Sequence, residues 1–377
     1  LALTDINCTA GVFPFIRAAQ KAGIHPVIGI DFRNGVQQQY IGLARNQEGF
    51  FELNKHLSEH LTRKREFKSR APKFEHSFVI YPFSEKAFPL RENEYVGVHP
   101  AQLNKLLTSP WFRRKEKLVL LQPATFSSKL EFNAHRLLRS MDQNTLLSKL
   151  PVSEQADFTD QFYSYADLIA RCESHSYLLV NAQKILEQCQ FSFYFQAVKN
   201  RRDILGSDWE DFDYLRQETF KGAINRYPEL SPEISARIEK ELELIQQKGF
   251  VSYFLINYDI VNFAHSKGYY HVGRGSGANS IVAYCLYITD VDPIELDLYF
   301  ERFINLYREN PPDFDIDFSW TDRDEVTAYI FEKYNKGNQE HVALLGSYST
   351  FQSNSMLREL GKVFGLPKTE IESLIYY

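Results

Sequence analysis

Apolar residues in the first half of the chain switch between helical and extended spacing. A helical pattern over residues 12–19 stops at Gly23, and an apolar run over residues 27–32 follows it, which predicts a helix and then a strand. Short apolar runs at residues 77–80 and 117–121 alternate with further helical stretches up to about residue 190. We therefore predict a mixed α/β domain for this region.

The pattern becomes mainly helical after about residue 190. Ser231 and Pro232 form a typical helix start, with the serine as cap and the proline in the first turn, and the helical spacing continues to Gly249. A second helical stretch over residues 253–265 ends before Gly268. The change of pattern predicts a domain boundary near residue 190.

The composition fits a globular protein with more than one core. Of the 377 residues, 44% are apolar and 15% are aromatic, which predicts two or three domains. The four cysteines stand far apart without a Cys-x-x-Cys pair, so a disulfide framework or zinc knuckle is disfavoured and a reducing cytoplasm is indicated. The sequence shows neither a long apolar run nor a secretory signal, so no membrane segment is expected.

Charge says little about a nucleic-acid partner. The formal net charge of -5 describes the whole surface, whereas DNA is bound by a local patch. One basic run is more typical of a solvated loop or helix face than of a nucleic-acid contact. Its members are Arg63, Lys64, Arg65, Lys68, Arg70 and Lys73.

Three aspartates, Asp313, Asp315 and Asp317, alternate with large apolar residues. This is the period of a strand with one face on a core, so the carboxylates are predicted on one face at a spacing of roughly 7 Å. That spacing suits a pair of Mg²⁺ ions about 4 Å apart, and cations would offset the repulsion between the carboxylates. A charged edge strand is disfavoured by the apolar residues behind the charges, and a calcium loop by the absence of its glycine and distal glutamate.

A glycine-rich turn, Gly273-Arg274-Gly275-Ser276, stands about forty residues before the aspartates and precedes apolar residues at helical spacing. Backbone N–H groups at a helix entry favour an anion, and Arg274 and the Ser276 hydroxyl would add contacts, so a triphosphate is predicted here. Such a turn alone is often only a turn, and this one is neither a Walker A loop nor a Rossmann fingerprint. Beside a carboxylate pair it indicates phosphodiester chemistry.

These motifs resemble the palm of bacterial family C DNA polymerases, the alpha subunits of DNA polymerase III. The matching segments occur in the same order as in that family, at residues 272–280, 288–293, 300–303 and 312–318. The resemblance continues downstream at residues 360–365. Upstream, residues 1–6 and 29–32 resemble the family's N-terminal polymerase-and-histidinol-phosphatase (PHP) domain.

The resemblance implies an α/β multidomain fold. A PHP-like, barrel-like domain would span residues 1–190, a palm with the nucleotidyltransferase fold of polymerase beta 191–345, and the start of a helical thumb 346–377. The implied activity is that of a DNA-directed DNA polymerase in bacterial replication, with dNTP and primer–template DNA as substrates and with the sliding clamp and other replisome subunits bound outside this chain. A third catalytic aspartate is implied beyond Tyr377, so the chain is expected to be a fragment that is inactive alone.

The resemblance also implies the roles of the acidic residues. Asp315 and Asp317 match the family's two strand-borne ligands for two Mg²⁺ ions, whereas Asp313 takes the first acidic position and is the weaker candidate. The double proline before Asp313 resembles the error-prone branch, since replicative members usually have methionine there. One position leaves both branches open.

The nucleotide pocket is implied by the turn. Gly275 and Ser276 match the family's contacts with the phosphates of the incoming nucleotide, with Gly273 beside them. Arg274 and Arg308 match basic residues of that pocket. The turn departs from the family in lacking the usual proline and additional glycine before the arginine.

The PHP-like domain is predicted to be structural. Isoleucine follows Asp5 where the family has histidine, Asp31 stands at a glutamate position, and residues 122–131 lack the family's aspartate and histidine pair. Asp5 and Asp31 are therefore remnants, and no functional metal site is expected there. A metal-dependent phosphoesterase acting through this domain is the alternative function, and a non-catalytic module with vestigial palm motifs is a further one.

Overall fold

The computed structural model describes residues 1–195, 203–302, 305, 312–335, 341–344 and 350–375. The described residues form two compact units, one made of residues 1–194 with those from 350 onward, and one made of the residues between 195 and 344. The division into three domains with boundaries at 190 and 345 stays a prediction. Within the described ranges, no helix is long and apolar enough to cross a membrane.

The first unit is built on a mixed six-stranded sheet, which confirms the α/β prediction at this level. Its strands are β1 (Ala2–Ile6), β2 (Val27–Asn34), β3 (Gln37–Ala44), β4 (Ser77–Pro82), β5 (Glu94–Val98) and β6 (Leu118–Leu120). Its helices are α1 (Val12–Lys21), α2 (Gln47–Thr62), α3 (Leu103–Thr108), α4 (Lys129–Asp142), α5 (Tyr165–Arg171) and α6 (Tyr177–Gln188).

The strands are hydrogen-bonded in chain order, and only β3 runs against its two neighbours. The carboxyl ends of the other five strands therefore meet at one edge of the sheet. Val27, Ile80 and Val119 are buried on one face together with Ile185 of α6. The apolar runs at residues 27–32, 77–80 and 117–121 are typical of strands that are covered on both faces.

The basic run lies in the loop that follows α2. Arg70 donates to Glu94 Oε2 at 2.6 Å, and Arg91 pairs with Glu94 Oε1 at 3.1 Å. Glu94 is fully buried and also accepts a hydrogen bond from Tyr81 Oη at 3.0 Å. A buried carboxylate without such partners would lower the stability of the protein, so Arg70 has a structural role. The other members of the run stay a predicted solvated loop.

One histidine of the first unit should make stability depend on pH. His56 lies 2.7 Å from Tyr40 Oη, and burial together with neighbouring His60 lowers its pKa to about 4. The unfolded chain binds more protons than the folded one between this pKa and about 6.5, so stability is lost as pH falls through that window.

We expect the urea midpoint of unfolding to fall between pH 6.5 and 4, and to fall less in His56→Gln. His76→Gln, at an exposed position, is the matched control and should follow the unmodified protein. Equal losses in all three proteins would contradict a role for His56.

The second unit is mainly helical around a small two-stranded sheet. Its elements are α7 (Asp208–Arg226), α8 (Pro232–Gln247), α9 (Val251–Ser266), β7 (His271–Arg274), α10 (Ile281–Cys285), β8 (Asp315–Phe318) and α11 (Arg323–Tyr334). The predicted helix start is confirmed, because the Ser231 side chain caps α8 by accepting from the Ile234 N–H. Gly249 and Gly268 both have positive φ directly after α8 and α9.

The core of the second unit is formed by the helices. Leu242, Phe254 and Ile281 are fully buried in it, and Phe314 and Ile316 of the aspartate segment pack against it. α11, which follows β8, is held to α9 by a parallel stack of Tyr329 on Phe263 with ring centres 3.8 Å apart. The aspartate segment is thus held against the helical core by its apolar side chains, and α11 holds its downstream end.

Two predicted boundaries in this unit are wrong. β8 begins at Asp315 and not at Asp313, because the backbone of Asp313 is hydrogen-bonded to the glycine turn. The turn also does not enter a helix directly. Its residues Ser276–Asn279 form a short 3-10 turn, and α10 begins only at Ile281 with Ser280 as its cap.

Two further helices, α12 (Ser353–Phe364) and α13 (Lys368–Ile375), belong to the first unit. Gly361 of α12 lies so close to Ile371 of α13 that a Cβ would stand 2.5 Å from its side chain. Gly365, with φ of 78°, ends α12 beside Leu146. The segment predicted to start a thumb is therefore packed on the region around α4.

Candidate active site

The two predicted motifs meet in the antiparallel pair of β7 and β8. Arg274 stands directly opposite Asp315, and Val272 stands opposite Asp317. Residues two apart on a strand share a face, so Arg274 has one aspartate beside it and the other on the diagonal. Pairing of the strands therefore brings the basic residue of the turn onto the acidic face.

Arg274 bridges the two carboxylates. Its Nη1 donates to Asp315 Oδ2 at 2.7 Å and its Nε to Asp317 Oδ2 at 2.6 Å, with a third contact from Nη2 to Asp317 Oδ1 at 3.3 Å. The side chains stay accessible, with exposed fractions of 60% for Arg274, 39% for Asp315 and 56% for Asp317. Both aspartates thus lie on one face, as predicted, and already share one cation.

The ion pairs shift the pKa values of the groups involved. The hydrogen bond from Arg274 lowers the pKa of Asp317, and the same bond, with the charge of Asp315, raises the pKa of Arg274. Opposite charges favour the charged form of each partner. Asp317 and the guanidinium of Arg274 are therefore both charged at neutral pH.

The apolar residues between the aspartates anchor the strand from behind. The ring of Phe314 stacks on Tyr253 of α9 with centres 5.5 Å apart and meets Phe254 edge-on at 5.1 Å. Tyr253 Oη also accepts the backbone N–H of Phe314 at 3.2 Å. Tyr253 is a site-supporting residue that sequence reasoning missed, because its helical spacing marks it only as part of a helix.

The glycine turn is tied to the aspartate segment at Asp313. The Asp313 N–H donates to Ser276 Oγ at 2.8 Å, and the Gly277 N–H donates to the Asp313 carbonyl at 2.9 Å. Gly275 has φ of 95°, and a Cβ there would lie 2.5 Å from the Asp313 carbonyl oxygen. A Cβ on Gly277 would lie 2.2 Å from the Phe314 ring. Only glycines allow the turn to lie this close to the strand.

The amino end of α10 lies after the glycine turn, so the N–H groups of the turn are not those of this helix, and anion binding by the turn stays a prediction. The cap of α10, Ser280, is buried and accepts the N–H of Ala283 at 3.1 Å. Anion binding by Arg274 and Ser276 stays a prediction, and accepting from the Asp313 N–H does not use the O–H of Ser276.

Gly273 has a packing role in the structure. A Cβ there would lie 1.8 Å from the carbonyl oxygen of Ile288, and the Thr289 hydroxyl donates to the Gly273 carbonyl at 3.3 Å. β7 is therefore pressed against the segment after α10. A phosphate contact by Gly273 stays a prediction, and Arg308 lies outside the described residues.

The predicted remnants of the PHP site stand at the carboxyl ends of β1 and β2. Asp31 is buried, and its Oδ2 accepts from Arg33 Nη2 at 2.7 Å and from Gln38 Nε2 at 2.9 Å. Its Oδ1 is buried without a partner. Burial raises the pKa of Asp5, as expected for a carboxyl without a cation beside it.

Arg33 therefore gives Asp31 a guanidinium partner, and this is a contact that sequence reasoning missed. An arginine two residues after an acidic remnant on the same strand is a signal that could have revealed it. In the part of the chain that the structure describes, no group of three or more His, Cys, Asp or Glu side chains is arranged to hold a metal ion. The site at β7 and β8 offers two carboxylates, Asp315 and Asp317.

Comparisons with known proteins give a consistent result. Residues 213–376 match the family model described as the bacterial DNA polymerase III alpha NTPase domain. A protein of Symbiobacterium thermophilum named error-prone DNA polymerase is 30% identical over 428 aligned residues, which cover 99% of this chain and 39% of that protein.

Two further relatives carry the same name. The one from Bdellovibrio bacteriovorus is 43% identical over 166 residues, covering 44% of this chain and 15% of the relative. The one from Bordetella parapertussis is 40% identical over 197 residues, covering 52% of this chain and 18% of the relative. The chain thus spans well under half of the length of these curated relatives.

Proposed function

We propose, since this chain belongs to the bacterial family C DNA polymerases, that its second unit contributes the palm of a DNA-directed DNA polymerase. The family resemblance is confirmed, and the named relatives support the error-prone branch. The proposed reaction is template-directed transfer of a nucleotide from a dNTP to a primer 3′-hydroxyl. The observation that carries this proposal is the pair of carboxylates, Asp315 and Asp317, held on one strand face around a single cation.

The donor set at this face fits divalent metal ions. The guanidinium of Arg274 acts as a stand-in cation, because it draws oxygens of both Asp315 and Asp317 to within 2.7 Å. Oxygens of carboxylates are the ligands that Mg²⁺ prefers. A pair of bound Mg²⁺ ions would lower the pKa of the primer 3′-hydroxyl and neutralise charge on the triphosphate.

The protein side chains have distinct parts in this proposal. Asp315 and Asp317 would hold the metal ions, and the packing of Phe314 and Ile316 on the core keeps both carboxylates on one face. Asp313 is the weaker ligand, because its backbone belongs to the turn contact and not to the strand. Preorganised charge of this kind supplies most of the catalysis in phosphoryl transfer.

Arg274 and Ser276 are proposed to bind the triphosphate. Arg274 would have to release the aspartates for metal ions to bind, and its freed fork of N–H groups would suit phosphate oxygens. Ser276, fixed by Asp313, adds a hydroxyl donor. Gly275 lets the turn lie close to the aspartate segment, and Gly273 lets β7 pack against the segment after α10. Gly273 is retained from the resemblance as a phosphate contact and Arg308 as a further basic contact.

The wider assignments follow from the family. We propose that residues 1–190 are a PHP-like, barrel-like domain without a functional metal site, that 191–345 are a polymerase-beta-like palm, and that 346–377 begin the thumb. Primer–template DNA and dNTP are the proposed substrates, and the sliding clamp and other replisome subunits are proposed partners of regions outside this chain, in the bacterial cytoplasm. The phosphoesterase alternative gains no support at Asp31, whose charge is paired with Arg33.

Primer extension tests the function directly. The full-length protein, given Mg²⁺, a primer–template and one dNTP at a time, should add the nucleotide complementary to the template in preference to the others, and a metal chelator should stop the reaction. Absence of extension, or addition that ignores the template, would contradict the proposal. Phosphoester hydrolysis by the same preparation, together with bound zinc or manganese, would instead favour the phosphoesterase.

A further inference from the structure

One glutamate of the second unit is wholly buried behind the glycine turn. Glu241 lies on α8 with 0% of its surface exposed. Its Oε1 accepts from Arg237 Nε at 2.8 Å, and its Oε2 accepts from Ser280 Oγ at 2.8 Å. Ionisable side chains are rarely buried unless they are paired, so both contacts are needed to hold this carboxyl in the core.

Ser280 links Glu241 to the turn. Its Oγ accepts the Ala283 N–H and so caps α10, while its own N–H donates to the Gly277 carbonyl at 3.1 Å. The Gly277 N–H in turn donates to the Asp313 carbonyl at 2.9 Å. A continuous series of hydrogen bonds therefore runs from a buried carboxyl on α8 to the backbone that leads into the aspartate strand.

Arg237 fixes the other side of the same carboxyl. Its Nη2 donates to the Leu298 carbonyl at 3.2 Å, and its guanidinium carbon lies 5.6 Å from the ring centre of Phe300. Burial raises the pKa of Glu241 to about 7, against the opposing effects of Arg237 and Ser280. Glu241 is thus held from two directions and has no contact with solvent, which is the situation of a residue that fixes its neighbours.

We infer that Glu241 is a positioning residue for nucleotide binding, which holds the turn at residues 275–279 in register with Asp315 and Asp317 through its bond to Ser280. This inference rests on the proposed function and adds a residue that touches neither nucleotide nor DNA. Small displacements of groups that orient a substrate have large kinetic effects. Loss of this bond should therefore have a larger effect on KM for dNTP than on the stability of the fold.

The test uses Glu241→Gln, Ser280→Ala and the double variant in the full-length protein. We expect KM for the complementary dNTP to rise about tenfold in each single variant, the effect of one charge-assisted hydrogen bond, with primer–template affinity unchanged. Because both changes act on the bond between Glu241 and Ser280, the double variant should be no worse than the worse single variant within about twofold. Glu243→Gln, an exposed glutamate on the same helix, is the matched control and should behave as the unmodified protein.

Thermal unfolding establishes whether each variant is folded. If Glu241→Gln does not fold, the KM of Ser280→Ala alone decides the test. An unchanged KM in a folded Ser280→Ala, or effects that multiply in the double variant, would overturn the inference. Asp315→Asn in the same assay distinguishes a failure of the proposed polymerase function from a failure of the positioning role of Glu241. Retained extension there would overturn the proposed function, whereas lost extension with an unchanged KM in the Glu241 and Ser280 variants would overturn only the positioning role.

Discussion

Asp315→Asn and Asp317→Asn should each reduce primer extension by the full-length protein by about 10³-fold or more, the loss expected when a group acting in the transition state is removed. Asparagine keeps the size of the side chain and its place on β8, but it removes the charge that a metal ion needs. Asp317 is exposed and Asp315 is partly exposed, so the strand should keep the packing of Phe314 and Ile316 on the core.

The controls separate a loss of charge in general from a loss at these two positions. Asp324→Asn removes an exposed carboxylate at the start of α11 and should leave extension within about twofold, as is usual for surface changes away from a site. Asp313→Asn should give an intermediate effect. Primer–template binding, measured by fluorescence anisotropy, should be unchanged in all four variants. Retained extension in either Asp315→Asn or Asp317→Asn would remove that residue from the site.

Local chemistry made much of the second unit predictable from sequence. The cap at Ser231 and the glycines at 249 and 268 set the ends of two helices, because a hydroxyl can satisfy free N–H groups and glycine accepts positive φ. The shared face of Asp315 and Asp317 follows from the two-residue period of a strand. These features depend on neighbours in the chain, and the local sequence predicts them for that reason.

Features that depend on distant neighbours were not predictable in the same way. The strand stops short of Asp313 because the turn, 37 residues away, takes its backbone N–H. The burial of Glu241 is compensated by Ser280, 39 residues away, and a position on α8 alone does not predict that contact. The bridge from Arg274 to both aspartates likewise required the pairing of β7 with β8.

Arg274→Gln should change metal binding and nucleotide use in opposite directions. The guanidinium now occupies the space between the two carboxylates, so its removal frees both ligands and deletes a competing positive charge. We expect the affinity for Mn²⁺ in the absence of nucleotide to rise about tenfold, because one direct charge competitor has been lost. Electron paramagnetic resonance of free Mn²⁺ would measure this affinity without any turnover.

Nucleotide use should become worse in the same variant. If Arg274 moves to the triphosphate when metal ions bind, its loss should lower kcat/KM for dNTP about 10²-fold, as is typical for removal of one preorganised donor. Arg274→Lys keeps the charge but not the planar fork, so it should be intermediate in both measurements. Arg323→Gln, an exposed arginine paired with Asp324, is the matched control and should alter neither quantity.

The directions of the changes in Mn²⁺ affinity and in dNTP use test the exchange, which is the movement of Arg274 from the aspartates to the triphosphate. Tighter Mn²⁺ binding with weaker dNTP use would mean that Arg274 pairs with the aspartates before substrate binds and with the triphosphate afterwards. Before substrate binds, Arg274 would then offset the repulsion between the two carboxylates. Unchanged Mn²⁺ binding with weaker dNTP use would contradict the exchange and leave Arg274 as a phosphate contact alone. Weaker binding of both would show that Arg274 holds the carboxylates in their metal-binding geometry. In that case the bridge would be a permanent part of the site.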